Sequence, residues 1–226
     1  MGNIIEDKYY GKTRLIEDQF VLDFLWNTYG KNTYDVLEVG SGLGRFAMKL
    51  KELPHSTICC IEKNSDLGKI TQDAGLHTLV GDLNDIRLED NSFDIIHCSH
   101  VIEHLGYPQI AETLDSFYRM LKPNGYMIIR SPLISHKFYF DLDHIRPYPP
   151  QSILAYFNNM EQQRKSANKI KLEKVRFRRQ AVIPFPYAMD GVKHQINRFM
   201  MFLWITIRFP QCSPNGYTLI LKKWNI

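Results

Sequence analysis

Val36-Leu37-Glu38-Val39-Gly40-Ser41-Gly42-Leu43-Gly44-Arg45-Phe46-Ala47 is the stretch on which the reading of this chain turns. An apolar run enters a glycine-rich turn, and an amphipathic pattern leaves it. That succession predicts a strand, a tight loop and a helix, the first half of a βαβ unit. Glycines at 40, 42 and 44 let the backbone turn sharply and approach a ligand closely, because no Cβ stands in the way. The helix start behind the loop offers unpaired N–H groups. The spacing is Gly-x-Gly-x-Gly. The dinucleotide fingerprint needs Gly-x-Gly-x-x-Gly, and Arg45 occupies its third glycine position, which disfavours an NAD-linked oxidoreductase. Glu38, two residues before the first glycine, would repel a pyrophosphate and suits a cationic amino group.

Working outward, Ser56-Thr57-Ile58-Cys59-Cys60-Ile61-Glu62 is a second β-rich run that ends in an acid. Glu62 lies where a carboxylate can accept hydrogen bonds from ribose hydroxyls. Gly81-Asp82-Leu83 follows a third short run. Phe93-Asp94-Ile95-Ile96 leads to Val101-Ile102-Glu103-His104-Leu105, and Leu121-Lys122-Pro123-Asn124-Gly125-Tyr126 precedes a fifth.

In this order the motifs resemble those of class I S-adenosylmethionine-dependent methyltransferases (type 11/23-like branch). The resemblance covers roughly residues 33–135. It implies that Glu38, Gly40, Ser41, Gly42 and Gly44 form the cofactor loop, and that Glu62, with Lys63 beside it, holds the ribose. Asp82 and Leu83 would hold the adenine, and Cys98 and Ser99, at the end of strand four, would contact the cofactor as well. Asn124 stands where the family usually has glycine. An N-terminal helix closes over the cofactor in this family, which would bring Tyr10 and Arg14 to the methionine carboxylate.

Strands are expected at 35–39, 56–62, 77–80, 93–98 and 125–131. Helices are expected at 13–29, 43–53, 65–74, 108–121 and 150–167. Alternation of this kind means an α/β, three-layer Rossmann-like fold with a mostly parallel sheet. Residues 171–180 and 217–222 read as the last two strands, and the resemblance implies that they pair antiparallel at the edge of a seven-stranded sheet. The expected organisation is one methyltransferase domain over 1–226. It has a helical cap at 1–30, a cofactor core at 33–135, a substrate-side segment at 136–214 and a last strand at 215–226.

The substrate side centres on Asp141-Leu142-Asp143-His144-Ile145-Arg146-Pro147-Tyr148-Pro149-Pro150. It resembles a His-x-Arg-Pro-Tyr signature of methyltransferases acting on sugars, glycans or related metabolites. His144 is the first candidate for a general base, His104 the second and His100 the third. His100, Asp143, Arg146 and Tyr148 are candidate substrate contacts. Arg146 could orient an anionic or hydroxyl-rich acceptor, or pin the loop by pairing with Asp143. No metal is needed for this chemistry.

The chain has 226 residues, 44% of them hydrophobic and 23% charged, which fits one globular domain and excludes a disordered chain. Cysteines 59, 60, 98 and 212 form no Cys-x-x-Cys pair, so a zinc site or disulfide framework is not expected and a cytoplasmic location is. There is no signal-peptide pattern, and the Met1-Gly2 hint of myristoylation is weakened by Glu6. Net charge is +4, but residues 151–226 hold 13 Lys and Arg against 3 Asp and Glu, while 1–150 hold 15 against 21. The basic part is a candidate face for an anionic partner. Nucleic-acid modification through 171–179 ranks low, since no RNA-binding module accompanies it.

An insertion at about 181–214 has a greasy centre, 198–208, flanked by arginines. It is too short to span a bilayer. Its possible uses are a lid or core element, a homodimer face, or a peripheral contact with a membrane or lipid-linked substrate. The expected function is methylation of a small-molecule or glycan acceptor, O-methylation of a sugar hydroxyl first. Lipid or quinone methylation at a membrane surface is the first alternative. A non-catalytic binding subunit with the same fold is the second.

Overall fold

The computed structural model describes residues 4–53, 56–135, 137–158, 166 and 168–224. The Met1-Gly2 signal lies outside them, as does most of the second half of the helix expected at 150–167. Seven strands form one sheet: β1 (Tyr34–Val39), β2 (Ser56–Glu62), β3 (His77–Val80), β4 (Phe93–Ser99), β5 (Leu121–Pro132), β6 (Ile170–Arg178) and β7 (Gly216–Lys223). Their order is β3-β2-β1-β4-β5-β7-β6. β1 to β5 run parallel, while β7 pairs antiparallel with β5 and with β6. The helices are α1 (Ile4–Tyr29), α2 (Arg45–Lys51), α3 (Ser65–Asp73), α4 (Gln109–Met120), α5 (Pro150–Asn158) and α6 (Gly191–Ile207).

Both faces of the sheet are buried, and the period-2 alternation of the strands sorts their side chains between two cores. Val36, Ile95 and Ile128 pack with Val21, Phe24 and Leu25 of α1. Their neighbours Leu37, Ile96 and Met127 pack on the other face with Leu114 and Phe117 of α4 and Phe157 of α5. α4 docks because Ile110, Leu114, Phe117 and Met120 recur at helical spacing and are all buried.

Two elements begin earlier than the sequence predicts. α1 begins at Ile4, not near residue 13, and buries Tyr9, Thr13, Glu17 and Asp18. Thr13, Glu17 and Asp18 are polar because they meet the functional site, while Tyr9 packs on Trp204, so no apolar stripe marks the face. β5 begins at Leu121, not at 125. Asn124 takes a left-handed φ of 64° there, which asparagine tolerates better than most residues. The crowded position is Gly125, where a Cβ would lie 2.9 Å from the carbonyl oxygens of both Asp94 and Lys122.

The 181–214 insertion folds around α6, which packs on α1. Trp204 meets Tyr9 edge-on at 5.2 Å, and Met201 and Ala181 complete that small core. Phe199 and Phe202 face outward. No described helix is long and apolar enough to cross a membrane. β6 is an edge strand carrying Lys171, Lys174, Arg176 and Arg178, charges that discourage pairing with another edge.

Candidate active site

Two cavities open at the C-terminal ends of β1, β2 and β4, where ligands bind in sheets of this type. The first, about 520 Å³, is lined by Tyr10 and Arg14 of α1, Glu38, Gly40 and Ser41 of the loop, and His144. The second, about 360 Å³, is lined by Gly42, Glu62, Lys63, Asp82, Leu83 and His104. Gly40 and His100 line both, so the two are halves of one site.

The glycine loop is tied to β2. The N–H groups of Gly40 and Ser41 donate to the Ile61 carbonyl, at 2.9 and 3.2 Å. Gly40 has a φ of 71°, and a Cβ there would lie 2.3 Å from Val101 Cγ2. Val101 is β-branched and stiff, so it cannot yield cheaply. Gly40→Ala is therefore expected to destabilise the fold by about 1–3 kcal/mol and to weaken binding of S-adenosylhomocysteine. Adding Val101→Ala should restore part of the stability, which thermal unfolding of both variants would read. Gly44 does not line either cavity. Its φ of 69° and its contact with Thr71 and Leu76 make it a packing glycine, so its expected ligand contact is corrected.

Glu62 accepts from the Gly42 N–H at 2.6 Å through one oxygen and from the Asn64 N–H at 3.0 Å through the other. Each oxygen keeps a lone pair for a hydroxyl. Asp82 accepts from the Asn84 N–H at 3.0 Å and pairs with Lys63 at 2.9 Å. The Asn84 hydrogen bond first, and Lys63 second, hold its carboxyl below the usual carboxylate range. Glu38 accepts from His97 Nδ1 at 2.7 Å, and both side chains are buried. Burial lowers the His97 pKa, against the opposing pull of Glu38, so a neutral imidazole donates to Glu38.

Sequence reasoning missed four residues of this site: Asp18, His97, Glu103 and Arg130. His97 and Arg130 each interrupt an apolar strand, at the ends of Ile95-Ile96 and Met127-Ile128-Ile129, and a buried polar residue in such a run was the available signal. Arg130 donates to Asp18 at 2.6 Å and to the Glu17 carbonyl at 3.0 Å. Its Nε and the Ser41 Oγ are buried without a hydrogen-bond partner, and both residues line the first cavity. Two orphaned polar atoms beside a glycine cradle and two anchored acids suit a zwitterionic ligand bearing a ribose, as S-adenosylmethionine does.

Three expected contacts are corrected. Cys98 is enclosed in the core and lines neither cavity, and burial pushes its thiol well above the usual range. Arg146 and Tyr148 lie apart from His144, in a separate 780 Å³ groove with Tyr107 and Ile153. The Ile145 and Arg146 N–H groups both donate to the Glu103 carbonyl, and the Tyr148 hydroxyl donates to Leu105 O at 2.8 Å, which turns this segment away. The Arg146 guanidinium lies over the Tyr148 ring at 5.8 Å, and among the described residues no ion pair joins it to Asp143. Asp143 sits on the outer rim, where its carbonyl accepts from His104 Nδ1 at 3.0 Å.

His144 Nδ1 faces the Phe138 carbonyl at 2.7 Å, and its ring lies 4.9 Å from that of His104. A nitrogen facing a carbonyl must carry the proton, so the neutral tautomer leaves Nε2 with its lone pair. The nearest acid, Asp141, is 3.6 Å from that Nε2. Glu103, His104 and His144 bring ligating atoms within 4.8 Å of one another. Glu103 is already engaged by His100 at 2.9 Å and Ser131 at 3.2 Å, so the group serves here as an orienting network.

The fold is the Rossmann-like one that S-adenosylmethionine-dependent methyltransferases share, and the cradle at its strand ends suits that cofactor. Residues 37–129 match the family described as methyltransferase domain. A phosphoethanolamine N-methyltransferase of Plasmodium falciparum is 27% identical over 121 residues, a match covering 51% of this chain and 45% of that protein. The chain thus spans less than half of this curated relative. A S-adenosylmethionine-dependent methyltransferase from Archaeoglobus fulgidus superposes with a TM-score of 0.63 at 24% identity, covering 97% of this chain and 98% of that one. One from Methanosarcina mazei gives 0.57 at 12% identity, covering 89% and 98%. At such identities the structures share the fold, while the acceptor is set by the site.

Proposed function

We propose that the chain methylates a hydroxyl of a small polar acceptor, a sugar or glycan hydroxyl first, with His144 as the proton acceptor. The observation that carries this reading is the His144 ring in the wall of the first cavity, its Nδ1 proton tied to Phe138 O and its Nε2 left basic. S-adenosylmethionine, when bound, supplies a methyl group on a sulfonium that needs no further activation. Glu62, Asp82 and the glycine loop would hold it, and Ser41 and Arg130 offer donors for its carboxylate. The remaining work is alignment, worth about 7–11 kcal/mol, and removal of one proton, worth about 10²–10⁴-fold.

An amine acceptor is the second reading, favoured by the name of the Plasmodium relative and by Glu17 and Glu38 in the cavity wall, which suit an ammonium group. A lipid or quinone acceptor rests on the exposed Phe199 and Phe202, and activity that requires vesicles would select it. Calorimetric titration with S-adenosylhomocysteine comes first. Micromolar binding is expected, weakened about tenfold or more in Glu62→Ala, which loses ribose contacts. A folded wild type that binds none would overturn the reading and leave a binding subunit. Transfer from a ¹³C-methyl-labelled cofactor to sugars, nucleotide sugars and phosphoethanolamine, read by NMR, separates O-methyl from N-methyl products.

A further inference from the structure

A third cavity of about 290 Å³ lies where α1, α6 and β6 meet. Arg176, Arg178 and Arg179 from the end of β6 line it, with Arg208 from the end of α6, against one carboxylate, Glu17. Arg178 is already committed: it donates to Asn215 O at 3.1 Å and lies 3.5 Å from Glu17. Arg176 and Arg208 take part in no ion pair among the described residues. Their guanidinium groups lie over aromatic rings instead, Arg176 over Phe20 at 5.3 Å and Arg208 over Trp204 at 4.4 Å. Burial first, and the charge of Arg176 second, depress the Arg208 pKa, as expected of cations facing each other without a counter-ion.

A second observation is independent of charge. Trp204 is 2% exposed, and its indole Nε1–H has no hydrogen-bond partner. Glu17, 7% exposed, has an orphaned Oε1. Both residues line this cavity. A buried indole N–H left unpaired is costly, so an acceptor atom belongs beside it. Unpaired guanidinium forks, one indole donor and one carboxylate acceptor match an oxyanion that can also carry a proton, and a phosphate monoester is that group.

We propose that this cavity is a phosphoryl subsite, and that it anchors a phosphate carried by the methyl acceptor. Thr13, Glu17 and Arg178 line both this cavity and the one that holds His144, so a single molecule can reach from one to the other. The link to the acceptor rests on the methyltransferase reading above; the phosphoryl site itself does not. The source of the phosphate is either a soluble acceptor or a lipid headgroup at the α6 face.

The Trp204 indole N–H resonance, assigned with Trp204→Phe, provides the readout. Titration with inorganic phosphate, against chloride at matched ionic strength, is expected to shift it saturably in the millimolar range. Arg208→Gln and Arg176→Gln should each weaken that response by about tenfold while leaving S-adenosylhomocysteine binding unchanged. Arg208 caps α6, whereas Arg176 is an exposed strand residue, so a folding defect in the first does not remove the test. No saturable shift, or shifts that neither variant alters, would overturn the subsite. Phosphate binding by a protein that does not bind S-adenosylhomocysteine would overturn the methyltransferase reading alone. Sedimentation with phosphatidic acid vesicles, reduced by Arg176→Gln, would assign the phosphate to a lipid. Loss of sedimentation with retained phosphate binding would assign it to a soluble acceptor.

Discussion

Asp18→Ala is expected to lower the stability of the fold by about 3–5 kcal/mol, the range for removing one partner of a buried ion pair. The Asp18 carboxylate joins three elements: its oxygens accept from Arg130 of β5 and from Lys49 of α2, both at 2.6 Å. Arg130 is 5% exposed and lies over the Phe46 ring at 4.8 Å. Without Asp18 its Nη1 loses its acceptor, and its Nε already has none. A buried cation without its counter-ion is the cost, far more than the pair itself contributes. Asp18→Asn, which keeps size and one acceptor, should lose less. Urea unfolding read by circular dichroism measures both, and a loss under about 1 kcal/mol for Asp18→Ala would mean that water in the cavity solvates Arg130.

The same pair predicts a pH dependence. Burial alone would raise the Asp18 carboxyl, but hydrogen bonds and charge from Lys49 and Arg130 outweigh it and hold the group below its usual range. A carboxyl depressed in the fold contributes stability that is present above its unfolded pKa, about 3.9, and is lost as pH falls through the lower folded value. The stability difference between wild type and Asp18→Asn is therefore expected to hold steady from about pH 7 to about pH 5 and to shrink below about pH 4.

How much of this was legible depends on what each residue is packed against. The parallel strands were readable because both faces are buried, so Val36-Leu37 and Ile95-Ile96 appear as continuous apolar runs. Glu62 and Asp82 were readable because they end such runs at the side of the sheet where ligands bind. The start of α1 was not, because Thr13, Glu17 and Asp18 on its inward face form a site wall that looks like a solvated segment, and Tyr9 packs on the distant Trp204. Arg130 and His97 were hidden for the opposite reason: their partners, Asp18 and Glu38, lie 112 and 59 residues away. Arg146 and Tyr148 misled because nearness to His144 in sequence says nothing about two backbone hydrogen bonds to Glu103 that turn the chain outward.

His144→Ala is expected to reduce kcat by about 10²–10⁴-fold while leaving S-adenosylhomocysteine affinity as it was. His144 lines the first cavity and touches none of the residues expected to hold the ribose or adenine, so cofactor binding should not register its loss. Its Nδ1–H is anchored on Phe138 O, and its ring is packed between the tilted rings of Phe138 at 4.7 Å and His104 at 4.9 Å. That clamp fixes the direction of the Nε2 lone pair, as a base needs, and the deletion leaves a ring-shaped hole. Added imidazole should therefore recover part of the rate in His144→Ala and none in wild type. His104→Ala should cost less, since its Nδ1–H holds the Asp143 carbonyl and acts on the chemistry through the loop that carries His144. A His144→Ala enzyme that keeps kcat within about threefold of wild type would remove the proton acceptor from the mechanism and leave alignment as the source of the rate. An amine acceptor delivered already neutral would give that outcome, so the same variant bears on the choice between hydroxyl and amine.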